Sequence, residues 1–112
     1  MNSKKVLILS IFIILFGALL MESKVIHKFL YPKKYSEYVE KYSKEFNLDE
    51  NIVYSVIKAE SKFNSSAVSK KEAKGLMQIL DITRDWGAEE LNLKNVDIFD
   101  PETNIRLGCW YL

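Results

Sequence analysis

Ile52-Val53-Tyr54-Ser55-Val56-Ile57-Lys58-Ala59-Glu60 places apolar side chains at positions 52, 53, 56 and 57. That spacing predicts one face of a 3.6-residue helix. One further turn of the same face lands on Glu60, four residues after Val56 and three after Ile57. An acid at the end of a buried stripe is expensive unless it is paired or neutral. Desolvation would favour its protonated form, and so would the negative end of the helix dipole if the helix stops near Ser61. A glutamic acid held protonated near neutral pH is what a general acid requires. The plainer alternative is a helix-terminal glutamate in solvent, as most are.

Outward from this helix the chain reads as mainly α. On the N-terminal side Asn47-Leu48-Asp49 breaks the pattern, and Asp49 is placed to cap the helix. Before it, Tyr35, Tyr38, Val39, Tyr42 and Phe46 predict an amphipathic helix facing the core, with Glu37, Glu40, Lys41, Lys44 and Glu45 opposite. Pro32 stands where a helix could open. On the C-terminal side Asn64-Ser65-Ser66 and Ser69-Lys70-Lys71 are turn clusters, so 63–74 reads mostly as loop. Gly75-Leu76-Met77-Gln78-Ile79-Leu80 is a short apolar segment, and Ile82, Trp86 and Leu91 suggest a helix weakened by Gly87. After a loop at 92–97, Asp100-Pro101-Glu102 is a strong helix start. Ile105, Gly108, Cys109 and Leu112 form one face of that last helix. No repeat and no convincing period-two strand is present.

The first quarter of the 112 residues stands apart. Val6 to Met21 is a run of 16 residues without a charge, preceded by Lys4 and Lys5 and followed by Glu22. A basic start, an apolar run and a polar flank describe a signal peptide or signal anchor. The junction Gly17-Ala18-Leu19-Leu20-Met21-Glu22 offers no small-x-small cleavage site, which favours an uncleaved anchor over 1–23. The lysines would then lie inside, with a stalk over 24–34 and the remaining chain exported. The alternative is secretion after cleavage. Lys24 to Leu112 holds 14 Lys+Arg and 14 Asp+Glu, with no basic stripe for nucleic acid. Lone His27 and lone Cys109 make neither an internal disulfide nor a metal site.

Four segments taken together carry a family resemblance. They are Ala59-Glu60-Ser61-Lys62-Phe63-Asn64, Ala67-Val68-Ser69, Ala73-Lys74-Gly75-Leu76-Met77-Gln78-Ile79, and Asn104-Ile105-Arg106-Leu107-Gly108-Cys109-Trp110-Tyr111-Leu112. Over 35–112 the sequence resembles the catalytic domain of the soluble-type (SLT-domain) lytic transglycosylases, relatives of goose-type lysozyme. The resemblance implies a lysozyme-like, mainly α domain that uses no cofactor and acts on peptidoglycan glycan strands. It implies cleavage of the β-1,4 bond between N-acetylmuramic acid and N-acetylglucosamine, with Glu60 as the single acid and base. Glycosidases usually need two carboxylates. Here the nucleophile would be the muramoyl C6 hydroxyl, which closes a 1,6-anhydro ring, so one carboxylate suffices.

The other residues carry over as implications of the same likeness. Ser69 and Gln78 match positions that hydrogen-bond substrate or orient the acid, and Met77 matches a cleft methionine whose other role is to fill the core. Ser61, Gly75, Gly108 and Tyr111 belong to the structural motif, and Asn104 to a buried, structure-holding position.

The chain departs from the family at Lys70-Lys71-Glu72-Ala73, where proline-x-glycine-alanine is usual, so Glu72 replaces a turn glycine. A positive φ there would cost about 1 kcal/mol or more. Asp81 replaces a proline, Leu80 a residue that is often methionine, and Arg84 an alanine. Family domains continue past the Tyr-Leu pair, so the resemblance implies the N-terminal part of a domain, truncated at its C-terminus. Two other functions stand beside the lyase. One is a non-catalytic wall-binding module or inactive fragment, and the other is a water-using muramidase.

Overall fold

The structure, a computed structural model, describes residues 2–22 and 34–112. The predicted stalk, with His27 and Pro32, lies outside the described residues apart from Lys34. The chain divides into two units, 1–33 and 34–112. In the first, helix α1 spans Ser3–Glu22. Its apolar side chains, from Val6 to Leu19, are exposed on every side. Its uncharged run of 16 residues rises about 24 Å, against the roughly 30 Å of a bilayer's hydrocarbon core. Among the described residues no helix is long and apolar enough to cross a membrane.

The second unit holds α2 (Ser36–Glu45), α3 (Glu50–Ser61), α4 (Asp81–Glu90) and α5 (Pro101–Tyr111). Helix α3 begins where Asp49 accepts the Asn51 N–H at 2.8 Å. It ends at Lys62, which takes a left-handed conformation and bonds Lys58 O. Helix α5 begins where Asp100 accepts from the Thr103 N–H at 3.1 Å, with Pro101 in the first turn. Helix α2 packs on α3 and α5, and α4 packs on α5. Val39 and Tyr42 of α2, Val53 and Ile57 of α3, Leu76, Met77 and Ile79, and Ile105 and Cys109 of α5 share one core.

The α2–α5 seam is also tied by polar contacts. Tyr42 donates to Glu102 Oε1 at 2.6 Å, and the Arg106 guanidinium reaches Glu45 while lying 5.6 Å from the Tyr42 ring centre. Burial, reinforced by the Glu102 hydrogen bond, raises the Tyr42 hydroxyl above its ordinary range.

Two sequence readings are corrected here. The buried line of α3 is Val53, Ile57 and Ser61, not a stripe ending on Glu60. At 100° per residue Ser61 falls about 40° from Ile57, and Glu60 about 60° to the other side. Glu60 therefore continues the row of Ile52 and Val56, which is exposed at Ile52 and half-buried at Val56. Leu112 does not join the buried face of α5 either. It lies one residue beyond the helix and is exposed, while Asn104 and Leu107 are buried on that helix.

Candidate active site

The segment between α3 and α4 is a folded-up loop that stands over α5. Val68 pairs with Lys74, and Lys74 with Ile79, as isolated antiparallel bridges. The Lys74–Ile79 pair exchanges both backbone hydrogen bonds at 2.9 Å. At the outer tip, Ser69 N–H donates to Ala73 O, and Ser69 Oγ accepts the Ala73 N–H at 3.1 Å. Glu72 sits in that turn with φ 64°, its N–H donating to Ser69 O. A glycine would hold this conformation without steric cost; glutamate does not.

Asn104 fixes the inner end of the loop. It is fully buried, and each of its side-chain atoms is used. Oδ1 accepts the Met77 N–H at 2.7 Å, while Nδ2 donates to Lys74 O at 2.9 Å and Ile98 O at 2.8 Å. Gly75, with φ 78°, lies directly against this amide, and a Cβ there would meet Asn104 Nδ2 and Cγ. Gly108 plays the matching part on α5, because a Cβ would meet the Met77 side chain. Gln78, also left-handed at φ 53°, donates from Nε2 to Gly75 O at 2.9 Å and Ala67 O at 3.2 Å. Outside the loop Lys74 Nζ lies 3.1 Å from both oxygens of Asp81, which Arg84 also approaches. The acid that replaces a family proline is thus paired, and it sits favourably in the first turn of α4.

These restraints leave a cleft of about 270 Å³ beside the end of α3. Val56 and Glu60 form one wall, Met77 to Leu80 the floor and a side, and Thr83, Gly108, Tyr111 and Leu112 the remainder. A second depression of about 370 Å³ runs back along α3 past Ile52, Ser55 and Val56, again ending at Glu60. Glu60 is the one acid among the residues lining either space. It is exposed, which is the plainer of the two alternatives for this position, a helix-terminal glutamate in solvent.

The sequence-derived candidates separate into groups. Glu60, Met77, Gln78, Gly108 and Tyr111 meet at the cleft. Ser61, Gly75 and Asn104 lie behind it as supports, with the Ser61 hydroxyl donating to Ile57 O. Ser69 lines neither space, and its hydroxyl is engaged with the turn. Val56, Ile79 and Thr83 line the cleft without having been singled out as site residues; the pattern marks Val56 only as part of an apolar helix face and Ile79 only as part of a short apolar segment. Among the described residues no group of His, Cys, Asp and Glu could hold a metal ion.

The comparisons with known proteins converge on one family and one mainly helical fold. Residues 37–112 match the transglycosylase SLT domain, and the chain belongs to that family. It is 34% identical over 88 residues to membrane-bound lytic murein transglycosylase C of Edwardsiella ictaluri, a match that covers 70% of this chain and 23% of the relative. The Salmonella arizonae protein of the same name is 35% identical over 85 residues, with the same coverage. Thus the chain spans about a quarter of the length of these curated relatives. In three dimensions it resembles an inactive glutamate-to-glutamine mutant of lytic transglycosylase Slt from Pseudomonas aeruginosa. The TM-score is 0.69 at 24% identity, over 75% of this chain and 14% of that one. The 70 kDa soluble lytic transglycosylase of Escherichia coli gives 0.68 at 24% identity, over 77% and 15%. Both likenesses speak to the fold.

Proposed function

We propose that the chain contributes the acid-bearing part of a peptidoglycan lytic transglycosylase, with Glu60 as the single acid and base. The observation that carries this reading is that Glu60 is the lone acid of a cleft whose floor is Met77 and Gln78. Glu60 protonates the glycosidic oxygen between N-acetylmuramic acid and N-acetylglucosamine as that bond breaks. As carboxylate it then takes the proton of the muramoyl C6 hydroxyl, whose oxygen bonds to C1 and closes the 1,6-anhydro ring. No water enters the products, so no second carboxylate is needed to activate one. Gln78 offers a polar group toward the sugar from a backbone already fixed at the cleft, whereas Ser69, which lines neither space, holds the turn beside it.

The curated relatives are membrane-bound proteins, which supports a membrane location for this chain. Residues 1–23 then serve as the anchor and 35–112 as an extracytoplasmic domain. Lys4 and Lys5 reach the interface to offset the short apolar run.

The exposure of Glu60 favours a second reading, in which the cleft binds glycan without cutting it. Incubation of the full chain with purified peptidoglycan, followed by mass spectrometry of the released muropeptides, separates the two. The lyase yields anhydro products one water lighter than hydrolytic ones, and Glu60→Gln abolishes them. A folded chain that releases nothing supports the binding module.

A further inference from the structure

The turn at the outer tip of the loop carries charges that the cleft reaction leaves unused. Lys70 and Lys71 are its two central residues. The turn is closed by the Glu72 N–H on Ser69 O at 3.0 Å and the Ser69 N–H on Ala73 O at 2.9 Å. Lys70, Lys71 and Glu72 are all exposed. Among the described residues none of their three side chains enters an ion pair, whereas the next lysine, Lys74, is held by Asp81. A run of charges is ordinarily a solvated face. Two features set this one apart. It is mounted on a closed turn, and Glu72 holds a left-handed φ of 64° that glycine would hold without strain. Residues kept in such conformations cluster at ligand-binding positions.

The tip and the cleft belong to one folded loop. Val68 pairs with Lys74 and Lys74 with Ile79, and Ile79 lines the cleft. Strand spacings put the backbone of Lys70 and Lys71 about 10–14 Å from Ile79. Resting on the reading of the cleft as a peptidoglycan site, we infer that Lys70, Lys71 and Glu72 recognise the peptide that the polymer carries on each muramoyl lactyl group. A stem of about four or five residues extends about 13–18 Å, enough to pass from a sugar in the cleft to the tip. Its charges complement those of the turn. Free carboxylates suit the two lysines, and the ammonium group of an uncross-linked diamino acid suits Glu72. Glu72 also argues against a polyphosphate wall polymer, which it would repel where the lysines attract. Because the turn is closed by its own hydrogen bonds, little backbone ordering is needed on binding.

Calorimetry tests this on the full chain in an uncharged polyoxyethylene detergent, with Glu60→Gln as the parent so that binding is read without cleavage. The ligands are muramic-acid-containing tetrasaccharides bearing their peptides, and the same tetrasaccharides stripped of peptide by an amidase. At about 50 mM salt the peptide-bearing ligand binds about three- to tenfold tighter, the size expected of two or three exposed charge pairs. Lys70→Met with Lys71→Met removes that advantage, and Lys70→Arg with Lys71→Arg keeps it. Both pairs leave affinity for the stripped ligand unchanged, and circular dichroism shows them folded. Raising salt to about 0.5 M shrinks the advantage in the parent. Equal affinity for the two ligands in the parent overturns the inference, as does an advantage that survives the methionine pair. Poly(glycerol phosphate) bound more tightly than the peptide-bearing ligand, through the same lysines, overturns it too. Stripped ligand bound without any advantage for the peptide sinks this inference alone. Failure to bind either ligand sinks the glycan reading with it. Cleavage is read separately from muropeptides of the native chain.

Discussion

Asn104→Ala should come close to unfolding the helical unit, and the structure sets the size of the effect. The substitution removes three hydrogen bonds from a fully buried site and strands the Met77 N–H and the Ile98 carbonyl, while Lys74 O keeps the bond from the Ile79 N–H. A buried polar group left unpaired costs about 1–3 kcal/mol. Water entering the vacated space would recover part of that. A net loss of about 3–5 kcal/mol follows, against a total stability of about 4–12 kcal/mol for a domain of this size. Gly75→Ala should be destabilising by itself, since its φ of 78° is strained for alanine and its Cβ meets the Asn104 amide. Most of the steric part of that penalty disappears when Asn104 is already alanine, leaving the contact with the Ile98 carbonyl oxygen. The double variant should therefore be more stable than the sum of the singles predicts, by about 1–2 kcal/mol. Urea denaturation followed by circular dichroism gives all four free energies. Strict additivity, or a loss below about 1 kcal/mol for Asn104→Ala, would refute the claim that this amide holds the loop to α5.

Three further outcomes follow from the same geometry. Glu72→Gly should stabilise the unit by about 0.5–1 kcal/mol, because relief of the left-handed strain exceeds glycine's added unfolded-state entropy; a thermal melt checks this. Tyr42→Phe should cost about 1–2 kcal/mol through loss of the hydrogen bond to Glu102, measured by urea titration. Burial pushes the Cys109 thiol up to about 12 from its ordinary value of 9.0, with the Glu45 charge adding to it. The fold thus favours the neutral thiol. Its contribution to stability is complete below pH 9 and declines toward pH 12, by up to about 1.4 kcal/mol per pH unit. Native Cys109 should accordingly resist iodoacetamide at pH 8 until the chain is unfolded.

Much of this architecture was legible from residue pattern. The caps at Asp49 and Asp100, the face of α2, and the turn-rich 63–74 segment each rest on local chemistry that tertiary contacts do not override. Glu72 was legible too, because a glutamate in place of a turn glycine announces a strained backbone. The site was only partly readable. Helical spacing put Glu60 near the buried stripe, but whether an edge position is covered depends on what packs beside it, and the row of Ile52 and Val56 is left largely open. The Asn104 bonds join residues up to 30 positions apart, and the Lys74–Asp81 pair depends on the bridge that folds 74 back on 79. Such contacts follow from the closed loop and leave no periodic trace.

Digestion of peptidoglycan in heavy-oxygen water tests the central claim most directly. If Glu60 directs the muramoyl C6 hydroxyl onto C1, the released muropeptides carry no heavy oxygen at the new end, and Glu60→Gln releases none. Products bearing one solvent oxygen would contradict the account and make the chain a muramidase.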